Sequence, residues 1–132
     1  MTTISREEIK SRGLGRFGRS FKYSLEGLAY AFKFEQSLTI HVIATIAVII
    51  VNILLKVTGT EWALLLLTIG VVLASELINT AIEAVVDLVT LEIHPLAKIA
   101  KDCASAATFV MAMLSIVIAL LVYGPYIVKL LN

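Results

Sequence analysis

An all-α integral membrane protein is predicted, with three transmembrane helices and an N-terminal amphipathic surface helix forming one membrane domain over residues 1–132. Three observations predict it. Hydrophobic residues make up 59% of the chain and charged residues only 16%, with a mean hydropathy of +0.95. A soluble domain of this size has too little interior to hide that much apolar surface, so lipid must be the solvent for much of it. Three apolar runs have the length of a spanning helix. Seven of the eleven Lys and Arg precede residue 38, a lopsidedness typical of membrane topology rather than of a globular surface.

The surface helix covers about 6–33. Ser5-Arg6-Glu7-Glu8 reads as a capping box that opens it. Phe17, Phe21, Leu25, Leu28 and Phe32 then recur at helical spacing and form one apolar stripe. Arg16, Arg19, Lys22, Glu26 and Lys33 take the other faces, where cations suit anionic headgroups.

The first span is about 38–55, near the lower limit of length for crossing a bilayer. It begins only after the charged segment, so no cleavable signal peptide is expected. Lys56 to Glu61 makes a tight turn, with Thr60 the expected N-cap and Trp62 an interfacial anchor. The second span is about 62–91. Leu91-Glu92-Ile93-His94-Pro95 breaks the pattern, and Pro95 suits the first turn of the third span, about 96–123. Gly124-Pro125 is expected to disturb that helix, with Tyr126 and Lys129 anchoring its end. The N-terminal segment and the 87–101 region hold most of the cations, which places the N-terminus in the cytoplasm and the C-terminus outside.

Net charge is +1, which gives no sign of a nucleic-acid partner. The single cysteine, Cys103, excludes an intrachain disulfide and a thiolate metal cluster, and reads as a packing residue. Gly13-Leu14-Gly15-Arg16-Phe17-Gly18 matches G-x-G-x-x-G, but no strand precedes it, so a dinucleotide site is not expected. His41 reads as a hydrogen-bonded structural histidine and Asn52 as an interhelical contact.

The chemistry concentrates on the second span. Glu76, Asn79, Glu83 and Asp87 fall within about 80° of arc on one helical face. Counted from Trp62, Glu76 lies about 21 Å into the membrane and Glu83 about 31 Å. Glu83 and Asp87 therefore reach the cytoplasmic interface while Glu76 stays inside the apolar layer. An ionisable group there costs roughly 2.5–3.5 kcal/mol, and one polar residue alone would read as interhelical glue. Four on one face, graded in depth, point to a site open to the cytoplasm.

Glu35 precedes the first span at about the height of Glu83, and two carboxylates at one level suit Mg²⁺, which shares its oxygen ligands with phosphates. Lys101 and Asp102 sit at the same interface, where the lysine is either a phosphate partner or a snorkelling anchor, and Arg16 and Arg19 are within reach. Carboxylates, a metal and convergent cations are the parts of phosphoryl transfer. Glu76 suits the base, because apolar surroundings disfavour the bare carboxylate and so favour proton uptake.

The run from Ala74-Ser75-Glu76 through Asn79 and Glu83 to Asp87 resembles the signature of the prokaryotic diacylglycerol kinase family, and Ala100-Lys101-Asp102 resembles that family's second motif. The resemblance covers nearly the whole chain. It implies a homotrimer with active sites shared between subunits, ATP as co-substrate and Mg²⁺ as cofactor. It further implies Glu76 as catalytic base with Asn79 beside it, and Glu35 and Glu83 as metal ligands. Arg16, Tyr23, Lys101 and Asp102 resemble nucleotide contacts, Asp87, Glu92 and His94 would lie near the adenosine end, and Ser105 would approach the lipid. The Gram-negative branch usually has an acidic residue where this chain has His41. The pattern here is similar to the Gram-positive branch, which is associated with undecaprenol kinase activity.

The expected function is therefore an ATP- and Mg²⁺-dependent lipid kinase of the plasma membrane that phosphorylates undecaprenol. The enzymatic alternative is a diacylglycerol kinase making phosphatidic acid. From other classes come a small proton or ion transporter that uses the carboxylates as a relay, and a non-catalytic assembly protein, which would bind no metal-nucleotide.

Overall fold

The computed structural model describes residues 14–132, and every regular element among them is an α-helix. The four are α1 (Leu14–Phe34), α2 (Gln36–Leu55), α3 (Gly59–Val89) and α4 (Pro95–Leu131). The expected capping box at Ser5 and residues 6–13 of the surface helix lie outside the described residues. Two units are distinguished, one ending at Phe34 and the other running from Glu35 to Asn132.

In the first unit, α1 is amphipathic. Phe17, Phe21, Leu25, Leu28 and Phe32 are all exposed along it, and Lys22 pairs with Glu26 one turn on at 3.7 Å. An exposed apolar stripe beside charged flanks is what an interfacial helix presents to lipid.

In the second unit, α2, α3 and α4 are each long and apolar enough to cross a membrane. The central helix is α3, which packs on both α2 and α4. Its core contacts use Leu65, Val72 and Glu76, while Leu38 and Asn52 of α2 and Ala104, Thr108 and Val122 of α4 are also buried. Most large apolar side chains on the three helices remain exposed, as helices surrounded by lipid require.

The ends of α2 and α3 have identifiable causes. Lys56 adopts the left-handed conformation (φ 52°, ψ 47°). Its N–H reaches the Ile53 carbonyl at 3.3 Å, and the N–H of Val57 reaches Asn52 at 3.2 Å, a Schellman motif closed by buried Val57. The N-cap of α3 is Thr58 rather than the expected Thr60. Thr58 Oγ1 accepts from the Glu61 N–H at 3.4 Å, and the Glu61 carboxylate accepts from the Thr58 N–H at 2.7 Å. The pattern Thr58-x-x-Glu61 is a complete capping box, which a cap at Thr60 cannot form. The helix consequently starts at Gly59, and Trp62 already donates its N–H to the Thr58 carbonyl.

At its other end α3 stops at Val89, two residues short of Leu91, and Thr90 Oγ1 accepts from the Glu92 N–H at 3.1 Å. His94 caps α4, its Nδ1 accepting the Leu96 N–H at 3.2 Å, and Pro95 takes the first turn where no N–H is needed. Contrary to the break expected at Gly124-Pro125, α4 continues through Pro125 to Leu131. Proline removes a single helical hydrogen bond there. Beyond it, Tyr126 donates its hydroxyl to Glu61 at 2.6 Å and ties the last turns of α4 to the first turn of α3. One turn earlier, Tyr123 donates to the buried Asn52 carbonyl oxygen at 2.5 Å, joining α4 to α2.

Candidate functional site

The polar face predicted on the second span exists on α3, and the fold gives each of its members a different partner. Glu76 is buried at the α2–α3 contact. Its Oε1 lies 3.0 Å from His41 Nε2, and its Oε2 accepts the Ser37 hydroxyl at 2.9 Å. Ser37 and His41 are four residues apart, hence on one face of α2 and directed together at α3. One turn further, Asn79 Nδ2 donates to Glu83 Oε1 at 2.9 Å, leaving the buried Asn79 Oδ1 without a partner. A turn beyond, Asp87 Oδ1 accepts from Lys101 Nζ of α4 at 2.6 Å. Asp102 pairs instead with Lys98 on its own helix.

Asp87, Glu92, His94, Lys98, Lys101 and Asp102 gather around a cleft of about 310 Å³ where α3 ends and α4 begins. His94 spends Nδ1 on the cap and leaves Nε2 for a ligand. Ser105 lies exposed on α4, three residues past Asp102. Arg16 and Tyr23 are exposed on α1, in the other unit. One participant escaped sequence reasoning. Ser37 was not singled out, although its spacing from His41 carried the signal. The polar partner expected of His41 is Glu76 itself, in contact at 3.0 Å.

Two carboxylates are suited to a divalent cation. Glu35, at the N-cap of α2, makes no side-chain cap hydrogen bond. Glu83 meets only the Asn79 amide, and neither carboxylate is in an ion pair among the described residues. No group of three or more His, Cys, Asp or Glu that could enclose a metal occurs among those residues. Were Glu35 and Glu83 to share a cation, they would supply two oxygen ligands and leave the remainder to phosphate and water. That donor set fits Mg²⁺, which is usually held by one or two carboxylates plus substrate phosphates. It does not fit a closed structural site.

Together these features define a multi-pass helical membrane protein with one carboxylate buried inside its bundle and charged groups of both signs where α3 ends and α4 begins. Comparison with known proteins specifies the kind. The profile of the family described as prokaryotic diacylglycerol kinase matches residues 22–123. The undecaprenol kinase of Bacillus subtilis is 41% identical over 112 residues, 85% of this chain and 91% of that protein. The diacylglycerol kinase of Pseudomonas aeruginosa is 45% identical over 98 residues, 74% and 80% of the two chains. That of Synechocystis is 42% identical over 100 residues, 75% of this chain and 57% of the other. This chain belongs to the prokaryotic diacylglycerol kinase family and is a membrane-embedded lipid kinase.

Proposed function

We propose that this protein transfers the γ-phosphoryl group of ATP to the hydroxyl of undecaprenol, giving undecaprenyl phosphate and ADP. The observation that carries the assignment is the depth grading of α3. A buried carboxylate, Glu76, lies at the α2–α3 contact, and Glu83 and Asp87 follow along the same face toward the cytoplasmic end about two and three turns on. A lipid alcohol approaches from the membrane and ATP from the aqueous side, so the reacting groups meet between those depths. The preference for a prenol over diacylglycerol is supported by similarity to the Bacillus subtilis enzyme. Diacylglycerol kinases are also among the relatives, and they supply the alternative product, phosphatidic acid.

The roles follow from the placement. The lipid hydroxyl oxygen bonds to the γ-phosphorus, the bond from that phosphorus to the β,γ-bridging oxygen breaks, and the hydroxyl proton passes to Glu76. Asn79 orients Glu83. Glu35 and Glu83 would hold Mg²⁺, which when bound neutralises charge on the phosphates. Lys101 adds a positive charge, and with Asp102, Asp87, Glu92 and His94 it lines the cleft suited to the nucleoside end. Arg16 and Tyr23 are assigned to the nucleotide and Ser105 to the lipid on family resemblance.

We also assign the plasma membrane, with the N-terminus cytoplasmic from the cation distribution, and a homotrimer with shared sites. The trimer rests on resemblance to the family. A proton relay would need polar groups across the whole bundle. On α3, Thr68 and Ser75 instead donate to their own helix, at 2.8 Å each.

The test is transfer of label from ATP in the presence of Mg²⁺, using purified protein in detergent offered undecaprenol and diacylglycerol separately. Undecaprenyl phosphate is the expected product. Labelling of diacylglycerol in preference would overturn the substrate, and labelling of neither would overturn the kinase assignment.

A further inference from the structure

We propose that His41 is a positioning residue for the phosphoryl transfer: it holds Glu76 in the orientation in which that carboxylate receives the lipid hydroxyl proton. The inference rests on Glu76 being the base. A glutamate has three rotatable side-chain bonds, and burial alone does not choose among its rotamers. Here both oxygens are claimed from one face of α2, Oε2 by Ser37 and Oε1 by His41. A hydrogen bond on one oxygen and a close nitrogen contact on the other restrict the plane of the carboxylate as well as its position. Each oxygen keeps a second lone pair, so the base is oriented without being blocked.

The imidazole is better suited to this than a solvent-facing group. Glu76 has a side-chain exposure of 7% and His41 of 24%. His41 also lines a half-open, mostly apolar cavity of about 190 Å³ between α2, α3 and α4, whose wall holds Leu65, Val72 and Ile116 beside Thr45, Thr68 and Ser115. The nearest other polar side chains on these helices are engaged elsewhere. Thr45 and Thr80 donate to backbone carbonyls one turn back, and Asn79 donates to Glu83. Lys101 and Asp102 of α4 are paired with Asp87 and Lys98.

A tie that merely joined α2 to α3 would affect stability. A positioning residue affects turnover, because misplacing a reacting group by about 1 Å costs on the order of 100-fold. The experiment uses the full-length protein in detergent with labelled ATP and undecaprenol, comparing wild type with His41→Gln, His41→Asn, His41→Leu and Glu76→Gln. His41→Leu should lower kcat by about 30- to 100-fold, with the KM for ATP within about 2-fold. His41→Gln, whose amide nitrogen reaches as far as imidazole Nε2, should return to within about 5-fold of wild type. The shorter His41→Asn should not recover.

Wild-type turnover in His41→Leu, or a loss expressed in KM for ATP, would overturn the proposal. Should His41→Leu fail to fold, equal activity of the Gln and Asn variants would overturn it in the same way. An active Glu76→Gln would remove the base assignment itself. An inactive Glu76→Gln beside fully active His41 variants would remove only the role of His41.

Discussion

Replacing Glu76 with glutamine separates chemistry from nucleotide binding. The substitution preserves shape and removes the proton acceptor. One amide face still accepts from Ser37, while the NH₂ turns toward His41 and the 3.0 Å contact is lost. A positioned general base contributes about 10²- to 10⁴-fold, so kcat should fall by that factor, equivalent to about 3–5 kcal/mol in the barrier. ATP binding should scarcely change. Glu83 is seven residues along α3, about 10 Å from Glu76 by helical rise, and sites that far apart with no shared partner act nearly independently. Glu83 is held by Asn79, not by the Ser37–His41 pair. The affinity for ATP, measured directly by titration in detergent with Mg²⁺, should stay within about 2-fold. Loss of ATP binding in parallel with turnover would show that Glu76 belongs to the nucleotide site and would refute the two-depth division.

Three further outcomes are expected. Lys101→Met removes the cation that pairs with Asp87 at 2.6 Å in the cleft proposed for the nucleotide, and should raise the KM for ATP by about 10- to 100-fold, the range for a hydrogen bond to a charged group; an unchanged KM would leave Lys101 a snorkelling anchor. Lys56→Gly relieves a non-glycine residue at φ 52° and should stabilise the protein by about 0.5–1 kcal/mol, read as a raised thermal midpoint in detergent. Tyr123→Phe should destabilise by about 1 kcal/mol, because Asn52 then keeps neither of its buried amide atoms satisfied. Asn52→Leu added to it should recover most of the loss in the same melt, since apolar replacement of both partners is nearly neutral.

How legible the protein was depends on whether periodicity carried the information. The three membrane-crossing helices and the polar face of α3 follow from local spacing, and the structure displays both. Asn52 was read as an interhelical contact and is one, reaching α4 through Tyr123. Partners across helices were less accessible, because the register between two antiparallel helices leaves no periodic trace in either. Ser37 looked like an ordinary polar residue at a span entrance until α2 was set against Glu76. The N-cap was misplaced by two residues because the turn contains two threonines, and only Thr58 has a glutamate three positions on. Pro125 was read as a breaker because local propensity disfavours it, whereas a long-range bond from Tyr126 to Glu61 carries the helix past it.

The fold also constrains how a shared site could be assembled from proposed subunits. Glu76, Asn79 and Glu83 lie on one face of a single continuous helix, and Asn79 bonds Glu83 within the chain. A site that uses the base and the metal carboxylate must then take both from the same protomer, whatever a neighbour contributes. Co-assembling Glu76→Gln and Glu83→Gln subunits in equal amounts leaves no protomer with an intact face, so the mixture should be as inactive as either variant alone. If base and metal ligand instead came from different subunits, random mixing would restore about a quarter of the sites, because each of two neighbouring positions is intact half the time. Recovery on that scale, measured as lipid phosphorylation after denaturing and refolding the mixture together, would refute a site centred on one α3 helix. Continued inactivity would confine any sharing between subunits to residues beyond that face.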